Sequence, residues 1–262
     1  MGADGGPPTW PGLRDEALDL TEAARDAGIP LRVVGGIGVR LHCGEAGEMA
    51  ARVGRVAKDI DFIVPKEGRK GLRRLLEERG YVVDRDLLVA MEGRRYSFTH
   101  PTSQIELDVF VERLEFNHTI EVRSRLDRHP VTIPLEDLLM QKLQIRSVTM
   151  NDLVDISVLL ATHPVVPQAA GVEELSSDYV AGLLSKDWGF HRTATENLER
   201  VGGETAPPVD LGSELNKAVQ ERSQRLLESI AQAPKSMGWR LRAKVGERVQ
   251  WWEDVDEREE TY

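Results

Sequence analysis

The sequence predicts a mixed α/β fold followed by an all-helical part. Two observations carry this. Up to about residue 133, stretches with strand-type alternation are interleaved with stretches of helical periodicity. From Pro134 onward only helical periodicity remains. A third observation is size: 262 residues suit two domains, a core over 1–133 and a helical domain over 134–262. Hydrophobic residues make up 40% of the chain, enough for a packed core and against global disorder.

Leu13, Ala17, Leu20 and Ala24 repeat at helical spacing, so 13–27 is expected to be a helix that stops near Gly28-Ile29-Pro30. Leu31–Val34 is a short strand running into Gly35-Gly36, and a helix begins at Ile37. Residues 44–57, with Gly44, Gly47 and Gly54, show no clear period. Asp59–Val64 alternates as a strand. Residues 66–80 make a basic helix ending at Gly80. Strands are expected at 81–90, 94–100, 104–112 and around 129–133. Helices follow at 135–147 and 151–162, then a linker marked by Pro164 and Pro167, then helices at 176–201 and 211–232 with a loop over 202–210.

Net charge is −10, unevenly placed: residues 1–150 hold 22 Lys and Arg against 24 Asp and Glu, the remainder 12 against 20. An acidic chain is a poor general binder of nucleic acid, although a local basic strip can still serve one. Lys66, Arg69, Lys70, Arg73, Arg74 and Arg79 form such a strip. Glu67, Glu77 and Glu78 balance it, so a solvated face explains it more simply. The single cysteine, Cys43, excludes an internal disulfide and a cysteine-built zinc site and fits a cytoplasmic location. No run of apolar residues is long enough to span a membrane, and the Gly/Pro-rich start lacks the blocks of a signal peptide. Trp188, Trp239, Trp251 and Trp252 read as core or interface rather than as stacking platforms for bases.

Alternation along a strand sends Asp59, Asp61 and Ile63 to one face and the apolar Ile60, Phe62 and Val64 to the other. Two aspartates then point together from a rigid element. Their repulsion is relieved by a hard divalent cation, which prefers oxygen ligands. A solvent-facing strand that merely carries acids fits the same pattern. Gln104–Val111 repeats the design, with Asp108 and its neighbour Glu106 on the face opposite Leu107, Val109 and Val111. Three aspartates on two strands match what two-metal phosphoryl or nucleotidyl transfer requires. Gly35-Gly36, between a strand and a helix, allows backbone amides to approach a phosphate; a plain tight turn is the simpler alternative.

In the helix after Pro134, Lys142 shares the apolar face of Leu138, Leu139 and Ile145, where a lysine is costly unless paired. Asp152 and Asp155, one turn apart on the next helix, are its candidate partners.

The order Val34-Gly35-Gly36-Ile37-Gly38-Val39-Arg40, Lys58-Asp59-Ile60-Asp61-Phe62 and Glu106-Leu107-Asp108-Val109 resembles the nucleotidyltransferase superfamily of the polymerase β type. Within it the chain is most similar to the AbiEii-like toxins of type IV toxin–antitoxin systems, on Pro134-Leu-Glu-Asp-Leu-Leu-x-x-Lys142 and Asp152-Leu-Val-Asp155. The antibiotic nucleotidyltransferases are the second similar group. The resemblance covers roughly residues 31–160 and implies a mixed sheet flanked by helices. Twenty-two residues separate Gly36 from Asp59, which an insertion at 44–54 accounts for.

The resemblance implies an enzyme that moves an NMP from an NTP to an acceptor with Mg2+ or Mn2+. Asp59, Asp61 and Asp108 would bind metal, and Asp108 would activate the acceptor hydroxyl. Gly35, Gly36, Arg55, Lys58, Lys142 and Asp155 would contact the nucleotide, with Lys142 assisting catalysis. Partners would be the NTP, an acceptor (RNA or a small molecule such as an aminoglycoside or lincosamide) and an antitoxin protein, with no membrane involved. A non-catalytic regulatory protein that kept the fold is the reading from another class.

Overall fold

The computed structural model of the chain describes residues 9–52, 58–203 and 208–254. It divides into two compact units. The first comprises Met1–Leu114 and Glu121–Leu138, and the second Glu115–Ile120 and Leu139–Tyr262.

The first unit is the mixed α/β part. Helix α1 (Trp10–Asp26) buries Leu13, Ala17, Leu20 and Ala24, the stripe its periodicity predicts. Strand β1 (Arg32–Val34) leads directly into α2 (Gly35–Arg52), two residues earlier than the sequence suggests. The stretch that showed no period is helical as far as Arg52; the chain kinks at Gly44 (φ 50°, ψ −126°), so no single helical period runs through it. Arg55 lies outside the described residues.

Strand β2 (Asp59–Val64) is followed by α3 (Arg69–Glu78), β3 (Val82–Val83), α4 (Arg85–Ala90), β4 (Arg95–Thr99) and β5 (Glu106–Val111). Two short strands, β6 (Arg113–Glu115) and β7 (Thr119–Glu121), come next. The expected strand over 81–90 is therefore corrected to two residues of strand and a helix. The physical reason is Asp84, whose carboxylate accepts from the amides of Asp86 and Leu87 at 3.0 Å each and so starts α4. The strand expected around 129–133 is reduced to one bridge, Val33 to Thr132, flanked by Pro130 and Pro134, which cannot donate to a ladder.

The main sheet has the order β1-β2-β5-β4-β3. Its two central strands, β2 and β5, are parallel, and every other pairing is antiparallel. The expectation of a mixed sheet flanked by helices is met. One face packs Ile60, Phe62, Val64, Leu107, Val109 and Val111 against the apolar stripes of α1 and α3 (Leu72, Leu76). Central position also buries Ile63 and Phe110 on the other face, so that face is polar only toward the start of β2 and β5.

The second unit is mainly helical, as expected. Helix α5 (Leu135–Leu143) enters it from Leu139 onward. Helix α6 (Met150–Thr162) begins with a capping box in which Thr149 and Asp152 exchange hydrogen bonds. Strands β8 (Val165–Val166) and β9 (Leu175–Ser176) pair in parallel across the linker. The helix expected over 176–201 is two, α7 (Ser177–Leu184) and α8 (Trp188–Gly202), because Asp187 leaves the helix and caps the next one at the Phe190 amide, 3.0 Å away. Helix α9 (Ser213–Gln232) buries Val219, Ser223, Leu226 and Ile230. Gly202, expected in a loop, ends α8; a Cβ there would stand 2.2 Å from Ser223 Cβ, so glycine sets the α8–α9 approach. Helix α10 (Met237–Val245), which the sequence reading leaves out, starts at a Ser236 cap. Among the described residues no helix is long and apolar enough to cross a membrane.

Candidate active site

The register of the two central strands builds the site. β2 and β5 run in parallel with Asp59 opposite Glu106 and Asp61 opposite Asp108. Residues opposite each other in register share a face, so Asp61 and Asp108 project to the same side, and alternation puts Asp59 there too. One oxygen from each of Asp59, Asp61 and Asp108 lies within 4.8 Å of the other two. Asp59 is exposed, Asp61 half-buried and Asp108 only 8% exposed. The three aspartates singled out from the sequence therefore converge, and they do so at the polar end of an otherwise buried sheet face.

Gly35 lies against this cluster. It has φ +65°, and a Cβ built on it would fall 2.0 Å from Asp61 Oδ2. Pairing explains the proximity: Val34, the last residue of β1, is opposite Asp61. The glycine is thus needed for its conformation and for the room it leaves the carboxylate. The tight turn is visible in the sequence; the room left for Asp61 is not. Gly36 follows in the first turn of α2 and is half-buried. The first turn of α2 has no acidic residue, so no acid within that turn offsets the positive end of the helix. Lys58 is exposed immediately before β2.

A further residue belongs to the cluster. Arg95, first in β4, is opposite Phe110 and so diagonal to Asp108 on the same face. Its Nη2 donates to Asp108 Oδ2 at 2.6 Å, and its guanidinium lies 5.1 Å from the centre of the Phe110 ring. Asp108 Oδ1 is buried without a hydrogen-bond partner. The sequence offered the alternation of 94–100 as its only signal for Arg95. Which acid the arginine would meet depended on the β4–β5 register.

The donor set fits a hard divalent cation on three counts. The ligands are carboxylate oxygens, they converge within a coordination-sized space, and one buried oxygen lacks any other partner.

The second unit holds the other residues singled out. Lys142 Nζ is 3.0 Å from both Asp152 Oδ1 and Asp155 Oδ2, so the lysine is paired with both candidate partners at once. Lys142 is 12% exposed and Asp155 1%. Burial on its own would push the Asp152 carboxyl up, but the Lys142 charge and hydrogen bond, with the Thr149 hydroxyl and amide, hold it below the ordinary range. This triad explains how a lysine is tolerated on an apolar helix face.

The tryptophans turn out to be half-buried around an open cleft of about 540 Å3, lined by Trp188, Trp239, Trp251 and Trp252 with His118. Internal partners occupy indole faces: Arg242 lies 4.8 Å from the Trp188 ring, and Arg146 lies 5.4 Å from both Trp251 and Trp252. Back in the first unit, the basic strip on α3 is balanced by Arg73–Glu77 and Arg74–Glu78 pairs one helical turn apart.

No protein-family model and no curated protein matches the chain. Among solved structures it is similar to an antigenic nucleotidyltransferase-like protein from Paracoccidioides brasiliensis, at 13% identity, 88% coverage of this chain and 97% of that chain, with a TM-score of 0.34.

Proposed function

We propose that the chain is a metal-dependent nucleotidyltransferase that moves an NMP from an NTP to an acceptor hydroxyl. The observation that carries this reading is the convergence of Asp59, Asp61 and Asp108 beside Gly35, with one buried oxygen of Asp108 left without a hydrogen bond. Three clustered carboxylates repel one another, and an arrangement that keeps them together is explained by a cation they share.

In the proposed reaction the acceptor oxygen attacks the α-phosphorus of the NTP. The bond from that phosphorus to the bridging oxygen breaks, and pyrophosphate leaves. Mg2+ or Mn2+, when bound, would supply charge neutralisation at the α-phosphate and the departing pyrophosphate. Asp59 and Asp61 would hold the ion from β2. Asp108 would complete the ligand set and orient the acceptor hydroxyl, whose proton passes to carboxylate or water. Gly35 and Gly36 open the first turn of α2, whose amides favour an anionic group. Lys58 would offer a cation to the triphosphate. The residue pattern adds Arg55, Lys142 and Asp155 as nucleotide contacts, and it supports an acceptor of the kind used by AbiEii-like toxins, with RNA first and a small cationic drug second.

The decisive experiment incubates the full chain with labelled NTPs, Mg2+ and either a total tRNA pool or a panel of aminoglycosides and lincosamides. Labelled acceptor is expected for the wild type and none for Asp61→Ala. Transfer that survives Asp61→Ala rules the assignment out.

A further inference from the structure

We infer that Arg95 is a positioning residue that fixes Asp108 and weakens the nucleotide-free affinity of the carboxylate cluster for divalent metal. The inference rests on the reading of Asp59, Asp61 and Asp108 as metal ligands, and adds to it a residue that neither the sequence motifs nor the resemblance assigns.

Three observations support it. First, Arg95 engages one oxygen of Asp108 only: Nη2 donates to Oδ2 at 2.6 Å, and Oδ1 is buried without a hydrogen bond. A carboxylate held by one oxygen presents the other in a single direction, which is what a ligand set on rigid strands requires. Second, the guanidinium is held in place. It lies 5.1 Å from the centre of the Phe110 ring, it donates to Asp108, and the side chain is only 25% exposed. Third, both anchors are set by the register of a strand pair. Arg95 is opposite Phe110 and diagonal to Asp108, so the β4–β5 register sets the arginine's backbone beside both.

A unit positive charge so held stands a few ångströms from any cation at the cluster. Coulomb repulsion at that distance, in a partly solvated site, corresponds to an affinity lower by about tenfold. The anionic triphosphate would offset the same charge. Metal would therefore be bound weakly alone and more tightly together with nucleotide, with Arg95 making the ion and the NTP dependent on each other.

The test is Mn2+ binding to the full chain without nucleotide, followed by electron paramagnetic resonance of the free ion. The comparison is between wild type, Arg95→Met, Arg95→Lys and Asp61→Ala. Arg95→Met keeps the apolar contact with Phe110 and removes the charge; Arg95→Gln replaces it if melting shows that Met has unfolded the chain. The expected result is about tenfold tighter Mn2+ binding for the neutral variant, near wild-type binding for Arg95→Lys and none for Asp61→Ala. A merely structural arginine would leave affinity unchanged or lower it on removal, never raise it. Wild-type binding with an unchanged or weaker neutral variant overturns the inference while leaving the metal site standing. A lysine variant that binds as tightly as the neutral one also overturns it, since charge would not be the cause. Absence of Mn2+ binding in all four proteins, with or without NTP, overturns the metal-site reading and this inference with it.

Discussion

Gly35 and Asp61 come so close that a single methyl group on the glycine would overlap the carboxylate, with the added Cβ 2.0 Å from Oδ2. Gly35 also has φ +65°, so Gly35→Ala combines backbone strain of about 1–2 kcal/mol with displacement of Asp61. We expect that variant to fold and to lose Mg2+-dependent thermal stabilisation together with any transfer activity. Gly28→Ala is the control: it has φ +71° but nothing within 4 Å of the new Cβ, so it should lose about 1 kcal/mol and keep metal binding. Equal effects in the two variants, measured by thermal melting with and without Mg2+, would show that the contact with Asp61 is immaterial.

The carboxylate cluster should make the metal-free protein less stable than it could be. Two like charges about 5 Å apart in a partly solvated site repel by about 1 kcal/mol or more. Asp61→Asn should therefore melt at the wild-type temperature or a few degrees above it in EDTA. It should show no rise on adding Mg2+, whereas the wild type should rise. A loss of several degrees in EDTA would indicate that Asp61 has a structural role instead.

Lys142 holds two acids, and its removal should be severe. Lys142→Met would leave Asp152 and Asp155 adjacent, Asp155 being 1% exposed, and breaking a buried pair typically costs about 3–5 kcal/mol. Urea unfolding should show that loss, and Lys142→Met with Asp152→Asn and Asp155→Asn should restore much of it. A loss below about 1 kcal/mol in the single variant would mean the triad is far better solvated than its burial indicates.

Acid should destabilise the chain before its ordinary carboxylates protonate. Burial, opposed by the Asp187 charge, lowers the pKa of His118 from 6.5 to about 4. His118 stacks on Phe190 at 5.0 Å, and its Nε2 is 2.9 Å from Thr193 Oγ1. The unfolded chain takes up a proton near pH 6.5 that the folded chain refuses until about pH 4. Stability is therefore unaffected above 6.5 and falls as pH drops through that window, by about 1.4 kcal/mol per pH unit for one such group. Burial also lowers His191 to about 4, assisted by Lys235 and Arg192, and adds to the slope in the same direction. His118→Gln should flatten the pH dependence of unfolding between pH 6.5 and 4.5. An unchanged slope would place the acid sensitivity elsewhere.

Much of the candidate site could be read in the sequence because it depends on alternation alone. The strand period put Asp59 and Asp61 on one face and Asp108 on the polar face of its own strand, and both strands formed where the alternation predicted. The helical stripe of α1 was equally local. By contrast, Asp84 and Asp187 act as helix caps, a choice between competing local hydrogen bonds that periodicity does not register. Hence one expected strand became a helix and one expected helix became two.

Local chemistry thus singled out the aspartates, the glycines and the buried lysine as candidates. Only the tertiary structure decided which residues meet. The parallel register of β2 and β5 puts Asp61 opposite Asp108, and β1 brings Gly35 against Asp61. The antiparallel register of β4 and β5 delivers Arg95 to Asp108. In the second unit, the packing of α5 on α6 gives Lys142 both acids rather than one. Register joins residues far apart in the chain through hydrogen bonds that every residue can make. It is therefore set by the packing of whole faces, and no short segment of sequence encodes it.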